Sequence, residues 1–238
     1  MHPLLLRLNS LDPLSPEERD ALVSSIGPER AVSRGEDLIR QGSTPQESTI
    51  LLDGFTSRYK VLEEGGRQIT AIHVPGDFVD LHSFLMARMD HGVGALTDCR
   101  IAGVPHKKLR ELTDSFPHLG RVLWLTTLVD GSIHREWVVA MGRRTSLQHI
   151  AHLFCELFLR LEVVQRTKDH SYELPLTQDE IADTVGLSTV HVNRVLQALR
   201  KLDLISWNAH VLTIRDWQGL VDLAEFDPTF LNLEGKPL

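Results

Sequence analysis

Apolar and polar positions follow two different periods along the chain. From about Val32 to Val104, short apolar runs are cut by glycine-containing turns, the pattern of a chain of β-strands. Segments of strand length are predicted within Arg34–Gly42, at Ser48–Leu52, Phe55–Leu62, Gln68–Val74 and Cys99–Val104, with Gly65-Gly66 marking a hairpin. Many short strands with regular turns predict a closed sandwich or barrel. Helical spacing takes over near Lys107. Pro117 opens a long helix over His118 to about Met141, with Leu119, Val122, Leu125, Val129, Ile133 and Ala140 forming a seam. Leu123, Trp124, Leu128, Trp137 and Val138 add further apolar surface, so this helix is expected to bury two faces.

Gly142 to Thr145 interrupts that pattern as a hinge, and Ser146 is the expected cap of a following helix that runs to about Arg166. A polar loop is expected over Thr167 to Glu173, and a β-hairpin wing from Ile205-Ser206-Trp207 to Val211–Ile214. The N-terminal leucine cluster predicts a lead-in helix and not a signal peptide, and the tail from Trp217 to Leu238 carries no clear pattern.

The segment between Thr177 and Gln197 carries the chemistry. Thr177 and Glu180 form a capping box, and Ile181, Ala182 and Val185 give a short first helix one apolar face. Gly186 supplies the left-handed conformation that ends it, Leu187 plugs the turn, and Ser188 caps a second helix. Val192, Val195, Leu196, Leu199 and Leu202 are the predicted buried face of that second helix. A plain helical hairpin would satisfy this apolar pattern as well. The opposite face argues for more: Val190, Arg194, Gln197 and Lys201 point outward, flanked by Thr189, His191 and Asn193. Arg reads guanine, Asn reads adenine, and an exposed Val packs on a thymine methyl. The segment predicts a helix-turn-helix that enters the DNA major groove.

Composition changes this picture only slightly. The chain has 238 residues, 42% hydrophobic and 24% charged, and is globular in character with no apolar run of membrane-spanning length. A formal net charge of −7 argues against indiscriminate nucleic-acid binding. Arginines and lysines such as Arg143, Arg144, Arg194, Arg200 and Lys201 nevertheless concentrate in the C-terminal part, and local basic patches set phosphate affinity. Only two cysteines occur, Cys99 and Cys155, so no disulfide framework is expected and a cytoplasmic setting fits; both read as core thiols.

Catalytic chemistry is not indicated. No G-x-S-x-G, P-loop, dinucleotide fingerprint or H-E-x-x-H is present, and His73, His82 and His91 are scattered without a nucleophile at a recognisable spacing. His149, His152 and Cys155 share a helical spacing but read as core packing, so no metal and no cofactor are expected.

Taken together, the turns Arg34–Gly42, Asp53-Gly54 and Pro75–Phe78, the long apolar helix, and above all LTQDEIADTVGLSTVHVNRVLQALRKLDLI at Leu176 to Ile205 resemble the Crp/Fnr family of bacterial transcription regulators. The resemblance covers about residues 30 to 215. It implies an α+β fold: a cyclic-nucleotide-binding-like β-roll (a jelly-roll barrel) over 1–116, a dimerisation helix over 117–141, and a winged helix-turn-helix over 142–238. It also implies a homodimer that binds a palindromic operator in double-stranded DNA, with RNA polymerase as a candidate partner and no membrane role.

Carried over by position, Thr189, Val190 and Arg194 fall where the family touches base edges, with Asn193 adjacent. Ser188 and His191 fall where it touches the backbone. Val190 stands where the family usually has Glu, so its cytosine contact is not expected here. Two input devices of the family are also absent from the sequence. The segment Pro75–Cys99 has neither the Gly-Glu pair nor the Arg-Ser/Thr-Ala run that holds a cyclic phosphate, and Arg88 reads as a solvated loop residue. The N-terminal cysteine cluster of the Fnr branch is missing too. The second reading from a different class is a sensor whose β-roll binds a nucleotide or other small effector and gates DNA affinity.

Overall fold

The computed structural model describes residues 2–233, so 234–238 of the predicted C-terminal domain lie outside the described residues. The chain divides into two compact units, one of residues 1–60, 72–131 and 232–238, the other of 61–71 and 132–231.

The first unit begins with two helices where one was expected, α1 (Pro3–Leu11) and α2 (Pro16–Ser25). Pro13 and the capping box of Ser15 with Glu18 explain the break. Ser15 N–H donates to Glu18 Oε2 at 2.9 Å, and Glu18 N–H donates to Ser15 Oγ at 3.2 Å.

Along the chain the strands β1 (Arg30–Val32), β2 (Asp37–Ile39), β3 (Glu47–Asp53), β4 (Thr56–Val61), β5 (Arg67–His73, of which 67–71 fall in the second unit), β6 (Gly92–Ala95) and β7 (Cys99–Pro105) follow. They form two sheets, ordered β1-β7-β3 and β2-β6-β4-β5. This is the predicted barrel, but β1 and β6 were not anticipated. β6 is masked in sequence by its glycines. Gly92 is required there because a Cβ would come within 2.7 Å of the Tyr59 ring on β4.

Helices α3 (His106–Ser115) and α4 (Pro117–Arg143) close the unit's core, where Leu4, Leu8 and Leu22 pack with Leu109, Leu119 and Val122. His118, in the first turn of α4, sits between Asp12 (3.1 Å) and Glu18 (2.9 Å). These carboxylates, led by Glu18, raise its pKa above the usual imidazole value.

In α4 the expected seam is largely buried, including Leu119, Val122, Val129, Ile133 and Ala140. Trp124, Leu128 and Val138 remain exposed at 65%, 51% and 65%. Gly142, expected to interrupt the helix, is helical and belongs to the last turn of α4. One glycine costs a helix only about 1 kcal/mol, which this long apolar element tolerates.

In the second unit, α5 (Ser146–Val163) is capped by Thr145, one residue before the expected Ser146, because Thr145 pairs reciprocally with Gln148. A buried network fixes α5: Trp137 Nε1 donates to Glu156 Oε2, and Arg160 Nη1 donates to Glu156 Oε1, both at 2.8 Å. His149, His152 and Cys155 are core residues, as expected. His152 lies against the rings of Phe226 and Phe230, and burial pushes its pKa down to about 3 and that of His149 to about 4.

The stretch 167–173, expected as a loop, forms β8 (Thr167–Lys168) and β9 (Ser171–Glu173), with Asp169 and His170 turning at positive φ. Its one apolar anchor, Tyr172, is buried and donates its hydroxyl to the Phe154 carbonyl at 3.0 Å. Next come α6 (Gln178–Val185), α7 (Thr189–Lys201), β10 (Ile205–Asn208) and β11 (Val211–Ile214), and a third sheet is ordered β10-β11-β9-β8. The tail is more ordered than its composition suggested: α8 (Trp217–Ala224) starts at Asp216, whose carboxylate accepts the Gly219 amide at 2.9 Å.

Candidate nucleic-acid interface

The turn between α6 and α7 is built as its residue types require. Thr177 N–H donates to Glu180 Oε2 at 2.7 Å, and Glu180 N–H donates back to Thr177 Oγ1 at 3.1 Å. Gly186 adopts φ 68°, a conformation that favours glycine. Ser188 Oγ accepts the His191 amide at 3.3 Å and caps α7. Val192, Val195, Leu196 and Leu199 are buried as predicted. Leu202 is not. It is the C-cap residue, 55% exposed, and the helical phase that turned its neighbours inward ends there.

The opposite face of α7 presents the predicted readers. Ser188, Val190, His191, Asn193 and Arg194 are exposed, and Thr189 is half-buried. Two of them are held by α6, which the sequence did not reveal. Thr189 Oγ1 donates to Asp179 Oδ1 at 2.5 Å, and Asn193 Nδ2 donates to Gln178 Oε1 at 3.1 Å. Val190, 64% exposed, is an apolar side chain in a polar surrounding. Beside the motif, Arg67 Nε meets Asp183 Oδ2 at 2.7 Å, and Gln68 Nε2 donates to the carbonyls of Asp183 and Thr184 at 2.8 and 3.1 Å. These carbonyls belong to the last turn of α6, where they lack helical partners.

The first unit holds a pocket of about 390 Å³ lined in part by Arg30, Asp37, Arg40, Ser43, Glu47 and Asp80. Asp80 is buried, accepts the Thr49 amide at 2.5 Å and the Ser83 hydroxyl at 3.1 Å, and is pushed up to about 7 by desolvation. Arg88 is exposed, as expected. Cys99 and Cys155 are free and buried, and burial raises both thiols above their ordinary value. The sequence assigned no metal site, yet His82, Asp90 and His91 converge. The eight residues between His82 and His91 conceal that proximity in a linear reading.

A β-roll combined with a winged helix-turn-helix defines a DNA-binding regulator. Comparison with known proteins agrees. Residues 29–116 match the family model of the cyclic nucleotide-binding domain, and residues 148–223 match that of the Crp-like helix-turn-helix domain. A "Probable transcriptional activator" of Rhizobium leguminosarum bv. viciae is 30% identical over 176 residues, 74% of this chain and 72% of that protein. The transcriptional activator protein FnrL of Cereibacter sphaeroides is 28% identical over 215 residues, 88% of this chain and 86% of that protein. In fold, the structure of FixK2 from Bradyrhizobium japonicum matches with a TM-score of 0.74 at 23% identity, covering 82% of this chain and 96% of that one. The chain belongs to the Crp/Fnr family of bacterial transcription regulators. It is a Crp-type DNA-binding regulator, and its relatives are regulators, not enzymes.

Proposed function

We propose that the chain works as a homodimer on a palindromic operator, each protomer setting α7 into the major groove of one half-site. The observation that carries this reading is the apolar stripe left exposed on α4 by Trp124, Leu128 and Val138. Large apolar side chains at near-heptad spacing on one long helix are what a second copy of the same helix covers. A two-fold protein then dictates a two-fold site with half-sites about 34 Å apart.

Within each half-site, Arg194 reads a guanine, Val190 packs on a thymine methyl, and Thr189 and Asn193 contact base edges after exchanging their bonds to Asp179 and Gln178. Ser188 and His191 hold the phosphate backbone near the α7 N-terminus. In this reading residues 1–116 form the sensor-like domain, 117–141 the dimerisation helix and 142–238 the DNA-binding domain. The dimer acts in the cytoplasm, with RNA polymerase as its protein partner at the promoter.

Selection of bound sequences from a random DNA pool, with sedimentation of the same protein, tests this directly. An inverted repeat and a dimer are expected. A stable monomer, or a site without symmetry, would refute it. The pocket beside Asp80 supports a second layer, a small effector that gates DNA affinity. Its volume is of ligand size. Its wall carries both signs of charge, Arg30 and Arg40 with Asp37, Glu47 and Asp80, which suits a polar, hydroxyl-rich molecule. A ligand that binds without changing operator affinity would exclude gating.

A further inference from the structure

Three side chains of the first unit that no step above uses converge near the 3-10 turn Leu81–Phe84. His82 stands in that turn, and Asp90 and His91 immediately precede β6. Each offers one ligand atom, and these atoms lie within 4.8 Å of one another. The two imidazole centroids are 5.0 Å apart. His91 is only 4% exposed, and the Nε2 atoms of both His82 and His91 are buried without a hydrogen-bond partner among the described residues. Asp90 Oδ1 lies 2.7 Å from His91 Nδ1 and orients the ring.

We propose that His82, Asp90 and His91 form a binding site for a divalent first-row transition metal of the zinc type. A buried imidazole nitrogen without a partner has lost its water without a replacement, which destabilises the fold. Two such nitrogens on neighbouring rings beside a carboxylate are satisfied together by one shared cation. Two imidazoles and one carboxylate suit zinc and its neighbours, whereas calcium and magnesium favour oxygen ligands. Three protein ligands leave a fourth position open to water or an anion.

The protonation state is already suitable. Burial, followed by the nearby Arg58 charge, pushes His82 down to about 4 and lowers His91, so both rings offer lone pairs at neutral pH. The charges facing the site nearly balance. Arg58 on β4 is paired with Asp130 on α4 at 3.0 Å, and Lys60 lies 3.7 Å from Asp90 Oδ2. Asp90 ligates the cation by exchanging its bond to His91 Nδ1, and the Arg58 charge does not stand alone against the incoming cation.

The full-length chain, stripped with a chelator, is titrated with Zn²⁺ against a chromophoric competitor and separately with Co²⁺. One equivalent per chain is expected, with the visible absorption of low-coordinate cobalt. His82→Gln and His91→Gln are each expected to weaken Zn²⁺ by more than about 100-fold, beyond the typical cost of losing an outer partner. Asp90→Asn, at a half-exposed carboxylate, is expected to keep the thermal midpoint and still weaken Zn²⁺ by at least about 10-fold, so a loss there is not misfolding. His149→Gln in the second unit is expected to leave the affinity unchanged. Absence of stoichiometric binding, binding that survives both histidine variants, or an affinity indifferent to Asp90→Asn would overturn the site.

Discussion

Replacing Arg194 with alanine isolates base reading from folding. The side chain is exposed on α7, and no hydrogen bond or ion pair within the chain engages it among the described residues. Alanine is as good a helix former as arginine, so stability should move by no more than about 0.5 kcal/mol. On DNA, one bidentate arginine–guanine pair contributes about 1–3 kcal/mol of discrimination. A symmetric dimer presents Arg194 twice, at sites far enough apart to add, giving a loss of about 2–6 kcal/mol, or roughly 30-fold to 10⁴-fold in affinity. Fluorescence anisotropy on the selected operator and on a scrambled duplex, at matched salt, measures both terms. The loss should appear on the operator and be small on the scrambled duplex. Arg194→Lys should not restore it, because an ammonium cannot make the two-pronged contact. Asn193→Ala should cost less, since its amide already bonds Gln178 Oε1 and the DNA contact replaces a bond instead of adding one. Equal losses on both duplexes, with a salt dependence reduced by about one counterion per protomer, would mean that Arg194 holds phosphate and would refute the reading.

Placing glutamate at Trp124 and Val138 should yield a monomer in sedimentation with helix content retained, because both side chains are largely exposed within one chain; a persisting dimer would mean that another surface joins the protomers. Asp80 has a folded pKa raised from 3.8 to about 7, so its contribution favours the fold at low pH and is lost as pH rises through that range, by something on the order of 4 kcal/mol. Asp80→Asn, which can still accept the Thr49 amide, should flatten denaturant stability between about pH 4 and 7. His118 has a raised folded pKa, so the stability it lends through Glu18 and Asp12 is complete below its unfolded value of about 6.5 and fades above its folded one. His118→Gln should therefore destabilise the protein at mildly acidic pH and much less at alkaline pH, as followed by thermal melts. Glu156→Gln leaves the buried Arg160 guanidinium facing a neutral partner and should cost about 3 kcal/mol in urea unfolding.

The parts legible in the sequence are those whose physics is short-range. Thr177, Glu180, Gly186 and Ser188 each act on backbone groups within four residues, so the α6–α7 turn could be read residue by residue. The same reasoning slipped by one position at Thr145, where two adjacent residues can both cap and only the reciprocal bond with Gln148 decides. Long-range pairing was hidden. Thr167 to Glu173 is polar because only Tyr172 faces the core, and the strand exists because β11 offers it a ladder. Gly92 weakens the strand signal in the sequence, and the Tyr59 ring across the sheet shows why a side chain is excluded there. The grip of Asp179 and Gln178 on Thr189 and Asn193 likewise depends on how α6 and α7 cross, which spacing along either helix does not encode.

The acidic balance of the chain is consistent with such a reader and not in conflict with it. Attraction to phosphates is independent of sequence, so a strongly basic surface would hold the protein on the vast excess of non-specific DNA. A chain of formal net charge −7 starts from weak non-specific binding, and discrimination then rests on the few side chains that meet base edges. Two features of α7 suit that demand: Arg194, with no competing partner among the described residues, and Val190, whose exposed isopropyl group gains nothing from phosphate and can only be rewarded by an apolar group on a base. If that is how the half-site is read, a thymine facing Val190 should be selected as strongly as its methyl allows. Replacing that thymine by uracil, which lacks the methyl, should weaken wild-type binding while leaving Val190→Ala nearly unaffected. Equal sensitivity of both proteins to the missing methyl would show that another side chain, or the shape of the DNA, reads that base.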